Sequence, residues 1–261
     1  IATQIYNVIV TSSASLMAPG LYAVYQYVLT IYSKVNTVIV GPVSSVFFTR
    51  ISELVSIKNE SEVKKSIQTN LTYTTFVGFL IFVVVVVVGY EGLTFLWTSR
   101  NVSQDDLRLA YYFLVGFFFV FMFQGFSNLY RKLLVAFGQG TMFYFMGTLG
   151  MLLSGITVFG LSRLYGENGF IVAIMLSKFF LIAGPCLYFA KKYRYFISPR
   201  IHGAYWTVPL VLLLCFLVYR VKGYLSFSFE SLRFESLVML LLCGGLVVVL
   251  VLPILLYAVG M

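Results

Sequence analysis

Charge is scarce in this chain. Of 261 residues only 10% are Asp, Glu, Lys or Arg, against roughly 25% in soluble domains. Acids number nine and there is one histidine, so few residues are available for general acid–base work or metal binding. No paired carboxylates, zinc-type cluster or Ser–His–Asp set can be placed at one membrane face, and no cofactor is expected. The GxxxxGK[ST] pattern is absent, which excludes a P-loop from this chain. The three cysteines, Cys186, Cys215 and Cys243, sit in separate apolar stretches without CxxC spacing, so they read as small packing residues.

What is present is apolar length. Hydrophobic residues make up 60% of the chain, and the mean hydropathy is +0.95. Runs such as Phe76–Tyr90, with six consecutive valines, and Leu237–Gly260 match the ~30 Å hydrocarbon core crossed by an α-helix. They are continuous, unlike the ~10-residue alternating segments of a β-barrel. The expected class is all-α: a polytopic bundle of about eight spans, at 1–17, 21–49, 71–97, 107–130, 141–162, 169–190, 204–221 and 236–259. The chain opens on Ile1, already inside an apolar stretch, and no signal peptide is visible. The first span is therefore expected to be truncated, with upstream protein missing.

The connection RISELVSIKNESEVKKSIQTNL places apolar residues at 51, 54, 55, 63, 67 and 71 among charges, which predicts one or two amphipathic surface helices. Small residues at helical spacing, Gly150 with Ser154 and Ala173 with Ser177, predict close helix approach. Trp97 and Trp206 fall at span ends, where interfacial aromatics belong. The segment 223–234 reads as a membrane-skimming connection, and His202 as incidental.

The net charge of +9 would suggest nucleic acid for a soluble protein. Here it reflects orientation, and no nucleic-acid partner is expected. Ten of the eighteen basic residues fall in loops on one side: Arg50, Lys58, Lys64, Lys65, Arg131, Lys132, Lys191, Lys192, Arg194 and Arg200. Six lie on the other: Arg100, Arg108, Arg163, Arg220, Lys222 and Arg233. The excess assigns 50–70, 191–203 and the C-terminus to the cytoplasm.

Lys34 and Lys178 remain, both within spans. On the face of Lys34 stand Gln26, Thr30, Ser33, Thr37, Gly41, Ser44 and Ser45, with Leu29, Ile31, Val35, Val38 and Ile39 assigned to the opposite face. The first span repeats the device with Gln4, Asn7, Thr11 and Ser15. Two polar stripes joined by a tight Ala-Pro-Gly turn predict one shared cavity. An ammonium at a helix centre costs about 2.5–3.5 kcal/mol on insertion scales, so it needs a partner or water. Substrate use and structural pairing both answer that need. Lys178 has apolar Ile174, Leu181 and Pro185 on its own face, so it either reaches the cavity or pairs with missing protein.

The stretch ASLMAPGLYAVYQYVLTIYSKVNTVIVGPVSSVFFTRISEL resembles the seventh-to-eighth span region of polysaccharide and lipid II flippases, in the multidrug/oligosaccharidyl-lipid/polysaccharide exporter superfamily. EGLTFLW resembles the outer end of that family's ninth span. LYRKLLVAFGQGTMFYFMGTLGMLL resembles its tenth-to-eleventh connection, and YGENGFIVAIMLSKFFLIAGPCLYFAKKY its twelfth span. The resemblance covers most of 1–195 and implies the second six-span lobe of a two-lobe fold, with 196–261 as two additional spans and the first lobe missing. It implies a transporter of a lipid-linked oligosaccharide across the cytoplasmic membrane, in contact with membrane lipids. Gln4, Asn7, Thr11, Gln26, Thr30, Lys34, Thr37 and Lys178 are its candidate binding residues. Thr30 stands where many lipid II flippases carry arginine, and Thr49 where proline is frequent, which favours a general polysaccharide-lipid flippase over a lipid II specialist. A drug/cation antiporter of the same superfamily and a non-transporting scaffold subunit are the alternatives.

The charge count makes a topological prediction. A phosphatase fused to the C-terminus is expected to be inactive, whereas a fluorescent protein that folds only in the cytoplasm should fluoresce there. The reverse pattern would mean the spans are miscounted by one.

Overall fold

The computed structural model describes residues 2–17, 20–97, 102–122 and 124–193. The spans expected at 204–221 and 236–259, the skimming segment, His202, Trp206, Cys215 and Cys243 lie outside the described residues. Secondary structure among the described residues is entirely helical: α1 (Ala2–Ser15), α2 (Leu21–Ser56), α3 (Glu60–Trp97), α4 (Gln104–Phe121), α5 (Gln124–Ala136) and α6 (Gly140–Tyr193). Three of these regions are long and apolar enough to cross a membrane: α2, α3 and Gly140–Leu181 of α6. The chain is a membrane-embedded helical protein.

The amphipathic connection is resolved differently from its sequence reading. Residues 51–56 and 60–70 do not form separate surface helices; they continue α2 and α3 past the apolar stretches. Their apolar positions are used, since Ile51, Val63, Ile67 and Leu71 are buried. The physical reason is cheap continuation: extending an existing helix adds a hydrogen bond per residue without a new nucleus. The break falls only at 57–59. Asn59 N–H donates to the Leu54 carbonyl (3.1 Å) and Lys58 N–H to that of Val55 (3.1 Å), closing α2 as a Schellman motif. Lys58 takes the left-handed position, at φ 54°. The Asn59 side chain then accepts from Glu62 N–H (3.1 Å) and starts α3, with Glu60 and Glu62 favourably placed in the first turn. The exposed Arg50–Glu62 pair, at 4.0 Å, adds little.

The span read as 107–130 is also corrected. α4 ends at Phe121 and α5 begins at Gln124, so Arg131 and Lys132 lie inside a helix and not in a loop. α5, with 13 residues and about 20 Å long, is too short to cross the core. It carries Leu129, Tyr130, Leu133 and Leu134 on its buried side. Another Schellman turn follows, with Gly138 at φ 69° and Gln139 N–H reaching the Leu134 carbonyl at 2.7 Å.

The described residues form two compact units. One comprises the chain up to 74 and from 124 onward; the other is 75–122. In the first, α6 doubles back at Gly166 (φ 59°, ψ −135°), a conformation open to glycine. A Cβ on Gly150 would lie 3.0 Å from the Leu181 side chain, and Ser154 Oγ is 2.9 Å from the Ser177 carbonyl, so the two arms run antiparallel in close contact. Ser154, Ala173 and Ser177 are buried there, as their small size predicts. α1 lies on this hairpin, with the Tyr6 hydroxyl 3.0 Å from Ser177 Oγ. In the second unit, the apolar part of α3 packs on α4. Tyr111 donates to the Val86 carbonyl (2.6 Å), and Gly78 abuts the Met122 backbone.

Two substitutions test these turns. Lys58→Gly should raise the thermal midpoint in detergent, by relieving about 1 kcal/mol of left-handed strain, while Lys58→Val should lower it. Gly169→Ala would drive a methyl group into the Leu161 carbonyl, and is expected to abolish accumulation of folded protein.

Candidate functional site

α2 has one packed face and one open face. The packed spine is Leu21, Val24, Tyr25, Val28, Tyr32, Val40, Phe47 and Ile51, all buried. Thr30, Ser33, Lys34, Thr37 and Ser45 are exposed on the other face. Val38, assigned by sequence to the apolar side, is 72% exposed. At 100° per residue it stands only about 40° round from Lys34, whereas Tyr32 and Val40 stand about 160° and 120° away. Leu29, Ile31, Val35 and Ile39 are half-buried flanks and not the spine.

The hydroxyls of the stripe are turned inward. Thr30 donates to the Gln26 carbonyl (2.8 Å), Ser33 to Thr30 (2.9 Å), Thr37 to Ser33 (2.8 Å) and Ser45 to Gly41 (3.0 Å). Their protons are used within the helix, so each presents oxygen lone pairs outward. Pro42 lies inside α2 and has no N–H, which removes the intrahelical donor to the Val38 carbonyl. The stripe is therefore rich in acceptors, and Lys34 supplies its positive charge. Among the described residues, no carboxylate lies within 4.0 Å of the Lys34 ammonium.

α1 and α2 meet through a residue the sequence reading missed. Thr11 Oγ1 donates to the Tyr22 phenol oxygen at 3.3 Å, and Gln26 Nε2 donates to the same oxygen at 2.9 Å. Tyr22 thus links the two stripes and keeps its own O–H to donate. Gln4 and Asn7 are exposed on α1, while Thr11 and Gln26 are half-buried at the junction. If the Thr11–Tyr22 contact sets the antiparallel register, Asn7 falls level with Gln26 and Gln4 with Leu29, short of Lys34. Lys178 follows Ser177 on the second arm of α6, beside the point where that arm meets Tyr6. The structure thus joins Thr11 and Gln26 through the Tyr22 phenol and leaves Thr30, Lys34 and Thr37 as one open surface. Asn36, on the packed side, has a buried Oδ1 without a hydrogen bond among the described residues. An amide inside an apolar run was its sequence signal.

These exposures predict a labelling pattern. Cysteines at Asn7, Thr30 and Thr37 should react with a small hydrophilic thiol reagent in membranes, and one at Val28, which is 0% exposed, should not. Equal labelling at all four would remove the case for a water-accessible polar face.

No family model matches the chain, and no curated protein matches it. Among solved structures it is similar to "Lipid II flippase MurJ, inward closed conformation", with a TM-score of 0.73 and 17% identity. The match covers 100% of this chain and 52% of that one, so the chain spans about half the length of the solved flippase. At this identity the likeness is one of fold: an all-α helical membrane architecture.

Proposed function

We propose that this chain is the second lobe of a flippase that carries a lipid-linked oligosaccharide, such as an undecaprenyl-pyrophosphate-linked glycan, across the cytoplasmic membrane. The observation that carries the reading is the open polar face of α2, with Lys34 as a cation lacking a described counter-charge, on a flippase-like fold. In this reading a first lobe closes the cavity over that face, and the polyprenyl tail stays in the bilayer.

The chemistry of the face suits such a headgroup. At 4 Å an ammonium and a phosphate gain about 1 kcal/mol in bulk water and about 4 kcal/mol at an effective permittivity near 20. Outward-turned Thr and Ser oxygens accept from sugar hydroxyls, and the Gln4 and Asn7 amides both donate and accept. Binding must also be reversible for turnover, and one or two fixed cations serve release better than a dense cluster. Lys178, next to Ser177 in sequence, is the second candidate.

Substitution at position 34 in the whole transporter tests the reading. Transport should fall in the order Lys, Arg, Gln, Glu, with the protein accumulating equally in the membrane. Loss of one charge-assisted hydrogen bond predicts about a 10- to 100-fold drop for Lys34→Gln. Normal transport by Lys34→Gln would exclude a headgroup role for the charge. Failure of that variant to accumulate would assign Lys34 to structural pairing.

A further inference from the structure

A second basic surface lies fourteen residues along α2 from Lys34, where Phe48 faces α5. The buried side of α5 packs into the first unit, and Asn128, Arg131, Lys132 and Val135 are left on its partly open side. They line a cavity of about 350 Å³, together with Phe48 of α2 and Phe143 of α6. That volume is within the range of small-ligand pockets. Both cations are held at its walls. The Arg131 guanidinium is 5.2 Å from the centroid of Phe143, and Lys132 Nζ is 5.2 Å from that of Phe48. Aromatic faces at these distances attract a cation without neutralising it.

The two charges are adjacent in sequence and have no described carboxylate within 4.0 Å. Burial holds the Arg131 guanidinium below its ordinary range, the signature of a cation partly stripped of water. An anion entering the cavity would restore that lost solvation, and guanidinium and ammonium together match a phosphate's oxygens. The walls decide what kind of phosphate. Phe48, Val135 and Phe143 are apolar, and Val135 is 47% exposed. A free inorganic ion has no use for such walls, whereas a phosphate carrying acyl chains does. The charge count assigns this level of the chain to the cytoplasmic side, where anionic lipid headgroups gather.

We infer that Arg131 and Lys132, held between Phe143 and Phe48, form a site for the phosphate of an anionic phospholipid in the cytoplasmic leaflet. This site is separate from Lys34, and it stands whether or not the chain translocates a lipid-linked sugar.

The test is lipid retention by the purified full chain in detergent, read by native mass spectrometry with phosphatidylglycerol, phosphatidylcholine and inorganic phosphate as separate probes. Phosphatidylglycerol should be retained and phosphatidylcholine should not, with retention weakening as ionic strength rises. Arg131→Gln with Lys132→Gln should weaken phosphatidylglycerol binding about 30-fold, the sum expected for two interfacial cations. Should the double variant not fold, a benzophenone-bearing residue at position 135 locates the lipid in the otherwise native protein by photo-cross-linking. Cross-linking to phosphatidylglycerol above phosphatidylcholine supports the site. Equal retention of the two lipids, undiminished binding by a folded double variant, or binding of inorganic phosphate in place of the lipid overturns it.

Discussion

A polar group in hydrocarbon must find a partner, or face water or protein, because nothing in the bilayer will solvate it. That constraint runs through the first unit. Where polar side chains fall on packed faces they are mostly joined: Ser154 to the Ser177 carbonyl, Ser177 to Tyr6. Where they fall on the open face of α2, the hydroxyls fold back onto their own helix, and the ammonium of Lys34 is the group that this device cannot satisfy. A threonine can hide its proton in the preceding turn; a lysine has three protons and a full charge. The demand for an outside partner therefore concentrates on one residue.

The same constraint separates the two basic regions. Lys34 sits well inside a long apolar helix, where a cation is costly and needs water or a partner. Arg131 and Lys132 sit on a short amphipathic helix near a turn, where positive charge is cheap. What marks them is the pair of aromatic faces and the cavity between them, since a solvated basic loop would have neither.

Helix ends in this chain are set by local chemistry. Asn59 as a cap, Gly138 at positive φ and Gly166 at a reversal each stop or turn a helix in the way their side chains allow. Lys58 is the exception: it takes a left-handed position without being glycine, because two backbone hydrogen bonds across the turn hold it there.

The class of the protein and the face of Lys34 were legible in the sequence, because hydrocarbon demands long apolar helices and a helix repeats every 3.6 residues. Periodicity also located the Gly150, Ser154, Ala173 and Ser177 positions that the folded hairpin brings together. It misjudged Val38, because a 40° step from Lys34 looks apolar when read by residue type alone. It joined 107–130 into one span, because Met122 and its neighbours are as apolar as the helices on either side. Only the tertiary structure supplied Tyr22 as the bridge between Thr11 and Gln26, and only it set Arg131 and Lys132 against Phe143 and Phe48. Apart from the Tyr22–Gln26 bond within α2, those contacts join residues from different helices, up to 84 positions apart for Lys132 and Phe48, and periodicity within a helix carries no information about which neighbour it will meet.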